Sequence, residues 1–127
     1  MDVDPGKASR KGRRVLVVDD DLDTAQTLFL LLLDMGHSAA YATSGSAALE
    51  QARKLRPEFI FLDIGLPDLD GSEVATRLRQ TPGCEQALII AITGRGEEHR
   101  PRMLEAGCDA FYVKPLEPRL IDQFLGG

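Results

Sequence analysis

The chain has 127 residues, 43% of them hydrophobic and 28% charged, which is enough apolar material for one core and too little for two. Twenty acidic residues against fifteen basic ones leave a net charge of −5, which argues against a binder that holds nucleic acid by neutralising phosphates. No apolar run approaches the ~20 residues that cross a bilayer, and the start MDVDPGKASRKGRR lacks the apolar centre of a secretory signal. The expectation is one cytoplasmic domain with no membrane insertion and no nucleic-acid partner. Cys84 and Cys108 lack CxxC spacing, so free thiols are expected rather than a disulfide or a zinc site.

In chain order, a charged segment comes first. Five basic residues (Lys7, Arg10, Lys11, Arg13, Arg14) outnumber Asp2 and Asp4, and little there can be buried, so residues 1–12 are expected to form a flexible tail before a domain at 13–127. RVLVVDDD follows, a continuous apolar run ending in acid, as expected of a parallel strand covered on both faces. Comparable runs lie at EFIFLD, ALIIAITG and AFYVKP, with a weaker one at SAAYA. Helical spacing occupies Thr24 to Met35, Gly45 to Leu55, Ser72 to Gln80, Glu97 to Ala106 and, opening near Pro118, about Glu117 to Leu125. Five strands alternating with five helices predict right-handed βαβ crossovers and a parallel α/β sheet.

In such a sheet, ligands bind beyond the carboxyl ends of the strands. The residues there are Asp19, Asp20 and Asp21 after the first strand, Asp63 at the end of the third, Thr93 at the end of the fourth and Lys114 at the end of the fifth. Neighbouring carboxylates repel by about 4 kcal/mol per close pair at an effective dielectric of 20, so the cluster calls for a cation or a raised pKa. Magnesium suits it, because it takes a few carboxylate oxygens, keeps several waters and accepts phosphoryl oxygens. Lys114 adds a second positive charge and Thr93 a hydroxyl. Asp63 stands alone on its strand, placed for in-line attack on an activated phosphoryl group to form an acyl phosphate.

VLVVDDD, FLDIGLPDLDG, IIAITG and FYVKP, in this order over residues 13–125, resemble the receiver domains of two-component response regulators. The resemblance implies a flavodoxin-like (βα)5 fold with strand order 2-1-3-4-5 and a cis bond before Pro115. It implies Asp63 as phosphoacceptor and Asp20 as a direct magnesium ligand. Asp19 would reach the metal mainly through water, and the Gly65 backbone carbonyl would complete its shell. Thr93 would follow the phosphoryl group, Lys114 would pair with it, and Phe111 would be the switch aromatic. The implied donor is a histidine kinase or a histidine phosphotransfer protein, and the implied output a phosphorylation-dependent change of surface rather than enzymatic turnover. LDIGLPDLDG and ITGRG are similar to receivers of hybrid sensor kinases. With room for one domain, the chain would be a stand-alone regulator, a phosphate shuttle or the receiver piece of a longer protein.

Gly65 offers no side chain to cover a phosphoryl group, and Arg95 is long and cationic where it could hold phosphate or pair with acids. A bulky residue at position 65 is therefore expected to slow loss of the acyl phosphate, and an unchanged lifetime would contradict steric shielding. Phe111 lacks the hydroxyl of a tyrosine, so packing alone would drive its rotation. Asp21, Asp23, Asp68 and Asp70 fit helix-cap or turn roles better than ligation. His37 and His99 are isolated and receive no catalytic role.

The first helix, TLFLLLLDM, is apolar around more of its circumference than one buried stripe needs. With Leu28, Leu31, Leu32 and Met35 toward the sheet, Phe29, Leu30 and Leu33 face outward, to dock a kinase's helical bundle or a second copy, or else to be covered by the tail or the closing helix. Two competing functions stand beside the leading one. A haloacid-dehalogenase-like phosphohydrolase would use Asp19 as nucleophile and Asp21 as acid–base. A phosphate-independent interaction domain would use none of these groups chemically.

Overall fold

The computed structural model describes residues 12–94 and 96–126, so the N-terminal tail and Arg95 lie outside it. The elements run β1 (Arg14–Val18), α1 (Leu22–Asp34), β2 (Ser38–Ala42), α2 (Gly45–Leu55), β3 (Phe59–Asp63), α3 (Gly71–Arg79), β4 (Leu88–Thr93), a 3-10 turn (Glu97–His99), α4 (Arg100–Glu105), β5 (Ala110–Val113) and α5 (Pro118–Phe124). The five strands form one parallel sheet in the order β2-β1-β3-β4-β5, as expected from the sequence.

Burial follows position in that sheet. Every residue of β3 is buried, and β1 and β4 are exposed only at their first residue, so their unbroken apolar runs reflect cover on both faces. The edge strands β2 and β5 are partly exposed, which explains why SAAYA gives the faintest strand signal. Alternate residues of each strand feed opposite layers. Leu16, Val18, Ile60, Leu62, Ile89 and Ala91 pack with α2, α3 and Met103 of α4. Val15, Val17, Phe59, Phe61, Ile90 and Ile92 pack with Ala25 and Leu32 of α1 and Ile121 of α5. Cys84 and Cys108 are buried and free, and burial pushes the Cys108 thiol up to about 12.

Three of the helices start on polar caps. The Asp21 carboxylate accepts from the Asp23 amide and the Thr24 hydroxyl at the head of α1, Ser44 accepts from Ala47 at α2, and Asp70 accepts from Ser72 at α3. Asp68 caps at a distance, accepting from the Gly45 and Ser46 amides of α2 at 2.7 and 3.0 Å. These bonds hold the carboxyls of Asp21, Asp68 and Asp70 below their ordinary range, led by Thr24, Gly45 and Ser72 respectively.

The segment predicted as one helix over Glu97 to Ala106 divides at Arg100. Pro101 sits in the first turn of α4, where its missing amide costs nothing, but its ring would collide with the carbonyl of residue 97 if the α-helix ran on toward the N-terminus. On α1, Leu30 and Leu33 are 60% and 44% exposed, as the helical spacing requires. Phe29 departs from the outward reading. Its ring is half-buried, edge-on to Tyr41 with centroids 5.2 Å apart, because β2 is an edge strand and its tyrosine fills the space beside α1. Met35 caps α1 half-buried rather than lining the sheet.

Gly71 opens α3 under the loop that follows β3. A Cβ there would lie 2.7 Å from the Ile64 Cα and 2.8 Å from its Cβ, so the backbone of that loop would have to move. Gly71→Ala is expected to destabilise the protein by about 2 kcal/mol, read from urea unfolding. Unaltered unfolding would show that the loop yields freely.

Candidate functional site

The parallel register brings the carboxyl ends of β1, β3, β4 and β5 to one edge, with Asp63 paired across from Ile92 and Thr93 from Val113. Asp19 leaves β1 with its amide bonded to the Ala42 carbonyl at 3.0 Å, and it is buried although charged. Its Oδ1 accepts from the Asp21 amide at 2.9 Å, which fixes the carboxylate as the chain turns into α1. Asp63 ends β3, also buried, and its Oδ1 accepts from the Gly65 amide at 3.1 Å. Asp20 projects to solvent beside them. One oxygen from each of Asp19, Asp20 and Asp63 can lie within 4.8 Å of the others.

Lys114 reaches this cluster from the end of β5. Its Nζ donates to Asp19 Oδ2 at 2.8 Å and to Asp63 Oδ2 at 3.3 Å, while its amide donates to the Thr93 carbonyl at 2.7 Å. The Lys114–Pro115 peptide is cis, as the resemblance implied. Partial burial pulls the ammonium pKa down, but the hydrogen bond to Asp19 and the charge of Asp63 outweigh it and leave the value above the usual 10.5. Three carboxylates against one ammonium leave two negative charges unbalanced, which matches a divalent cation. Asp19, Asp20 and Asp63 supply oxygen donors close enough for one small ion that retains waters, so the residues present fit magnesium.

A cleft of about 550 Å³ opens over Asp20 and Asp63, bordered by Gly65, Thr93 and Lys114. The fold thus gathers five side chains singled out in the sequence, Asp19, Asp20, Asp63, Thr93 and Lys114, around one site. Phe111 is elsewhere, 2% exposed in the core layer beneath α4, with the Arg100 guanidinium 5.1 Å above its ring. His37 serves structure, its Nδ1 accepting from the Arg13 amide at 2.9 Å. Two further residues border the cleft, His99, which received no role from the sequence, and Arg102, which sequence reasoning passed over. They come from the turn and from α4, and no local pattern marks them, because only the return of α4 along the sheet edge carries them there.

Among the described residues no helix is long and apolar enough to cross a membrane. Residues 15–125 match the response regulator receiver domain family. The chain is 38% identical over 109 residues to the transcriptional regulatory protein AfsQ1 of Streptomyces coelicolor, covering 85% of this chain and 47% of that protein, so it spans about half the length of that relative. Among solved structures, chemotaxis protein CheY4 of Vibrio cholerae superposes with a TM-score of 0.83 at 26% identity, covering 91% of this chain and 98% of that one. A response regulator protein of Burkholderia pseudomallei, crystallised with a phosphorylated aspartic acid, calcium ion and citrate, superposes with a TM-score of 0.79 at 26% identity, covering 86% and 64% of the two chains. With a parallel sheet of order 2-1-3-4-5 and an acidic cluster at its carboxyl edge, this chain belongs to the response regulator receiver domain family of two-component signalling.

Proposed function

We propose that Asp63 accepts a phosphoryl group from a phosphohistidine of a histidine kinase or a histidine phosphotransfer protein in the cytoplasm. The observation that carries this reading is the single ammonium of Lys114 shared by the buried carboxylates of Asp19 and Asp63. A lysine so placed holds the nucleophile and meets the phosphoryl oxygens as they arrive. An oxygen of Asp63 bonds to phosphorus while the bond to the donor nitrogen breaks, and the electron pair leaves on the imidazole. Asp19, Asp20, Asp63 and the Gly65 carbonyl would hold magnesium, which when bound neutralises the transferring oxygens. Thr93, at the neighbouring strand end, would follow the new group with its hydroxyl, and the buried Phe111 ring would then repack beneath Arg100 to change the surface of α4 and β5.

Asp21 gives no support to a phosphohydrolase acting through Asp19, since its carboxylate is engaged in capping α1. The test is incubation with a small phosphodonor and magnesium followed by intact mass, in the wild type and in Asp63→Asn. One added phosphate in the wild type alone supports the reading, and labelling at Asp19 overturns it.

The exposed Leu30 and Leu33, with the half-covered Phe29 beside them, form the surface on which the donor's helices would dock, or on which a second copy would pair. Leu30→Glu with Leu33→Glu is expected to slow transfer from the cognate kinase about tenfold or more, as loss of two central apolar contacts would. Phosphorylation by a small donor should be retained. Wild-type kinase kinetics in the double variant would remove α1 from the interface.

A further inference from the structure

The cleft is electrically lopsided. Asp20 and Asp63 line it, with Asp19 behind them, and would repel any anion, while Lys114 is committed to Asp19 and Asp63. Among the described residues, the other cation lining the cleft is Arg102, with His99 beside it. Position 65, which lines the same cleft, is vacant of side chain: a Cβ there would meet only Asp63 Oδ1, at 3.7 Å. Arg102 Nη1 lies 3.3 Å from Asp70 Oδ2 and its Nη2 lies 3.4 Å from His99 Nδ1, while His99 Nε2 is 3.9 Å from Glu98 Oε1. Arg102 and Asp70 are each about half exposed, so their pairing is weak and leaves the guanidinium able to take a further anion.

In-line transfer requires the leaving group to lie opposite the attacking oxygen, which here means away from the floor and toward the open side of the cleft. We propose that Arg102, oriented by Asp70 and His99, contacts the departing group of small phosphodonors and makes the site favour acyl phosphates, whose leaving group is a carboxylate anion, over donors that release a neutral group. The inference rests on the phosphoacceptor reading of Asp63. The step balances without a further reactant. An Asp63 oxygen bonds to phosphorus, the phosphorus–oxygen bond to the acyl group breaks, and the electron pair leaves on the carboxylate facing Arg102, with no proton moved. With phosphoramidate the phosphorus–nitrogen bond breaks and neutral ammonia departs, to which the guanidinium offers nothing.

The test compares initial rates of phosphate incorporation from acetyl phosphate and from phosphoramidate, with magnesium present, by intact mass. Arg102→Gln is expected to lower the ratio of the two rates about fivefold, the effect of one half-exposed charge contact. Arg102→Lys should restore most of the ratio, and Arg77→Gln, which removes the same charge from α3, should leave the ratio as it was. A second readout needs no transfer: acetylphosphonate, whose phosphorus–carbon bond cannot be broken by Asp63, should shift the His99 ring-proton resonances in the wild type and less in Arg102→Gln. Equal loss with both donors, an unaltered ratio in Arg102→Gln, or His99 resonances indifferent to the analogue overturns the proposal. Failure of the underlying reading looks different, because phosphate would then be gained by Asp63→Asn as readily as by the wild type.

Discussion

Asp63→Asn is expected to abolish phosphate incorporation entirely while making the metal-free protein more stable. The two effects have one origin. Asp19 and Asp63 are buried carboxylates that share the ammonium of Lys114, with Asp20 close enough to join one cation site, so without a divalent ion the cluster holds an excess of negative charge. Removing one charge relieves repulsion worth about 1–2 kcal/mol after solvent screening, whereas removing the oxygen proposed as the nucleophile would leave no route to an acyl phosphate. The amide keeps a carbonyl oxygen to accept from the Gly65 amide, so the turn after β3 is preserved. Intact mass after exposure to a small phosphodonor reads the first effect and thermal unfolding in chelator reads the second. A variant that still gains phosphate, or that melts below the wild type in chelator, contradicts this account. Saturating magnesium should shrink the difference in stability or reverse it, because an ion held by the three carboxylates would bind the folded wild type more tightly than the variant.

Lys114→Met is expected to have the opposite sign in stability. It leaves two nearly buried carboxylates facing each other with no ammonium between them, and should cost about 2–3 kcal/mol at neutral pH, somewhat below a fully buried pair because the lysine side chain is about a third exposed. Phosphoryl transfer should fall by about two orders of magnitude, the scale for losing a preorganised charge at the reacting centre. The pH dependence separates charge from packing. In the wild type, the Lys114 pKa is raised in the folded state, so its stabilisation is complete below the ordinary lysine value of 10.5 and is lost only as pH rises through the still higher folded value. In Lys114→Met that stabilisation is absent, so the deficit against the wild type should hold below the ordinary lysine value and close only as pH rises through the folded lysine value. Urea midpoints across that range measure it, and a deficit independent of pH would assign the loss to packing.

Much of the fold could be read from the order of residues. The unbroken apolar runs at β1, β3 and β4 state that these strands are covered on both faces, since any exposed face would have imposed alternation. Asp19, Asp20, Asp63, Thr93 and Lys114 could be named in advance because in a parallel α/β sheet each strand end points to the same edge, so position along the chain translates directly into position in space. The caps at Asp21, Ser44 and Asp70 are likewise local, each bonded within three residues of itself.

Contacts set by packing between elements could not be read that way. That Asp68 caps α2 rather than its own turn, that Phe29 turns against Tyr41, and that Arg100 covers Phe111 all depend on how neighbouring layers meet across more than ten residues of sequence. Local periodicity specifies which face of an element is buried, but not which side chain from another element will lie against it. The same distinction governs the site itself. Strand-end position points to its acids, hydroxyl and lysine, while its border of His99 and Arg102 exists only because Pro101 starts α4 where it does and the sheet carries that helix back to the edge.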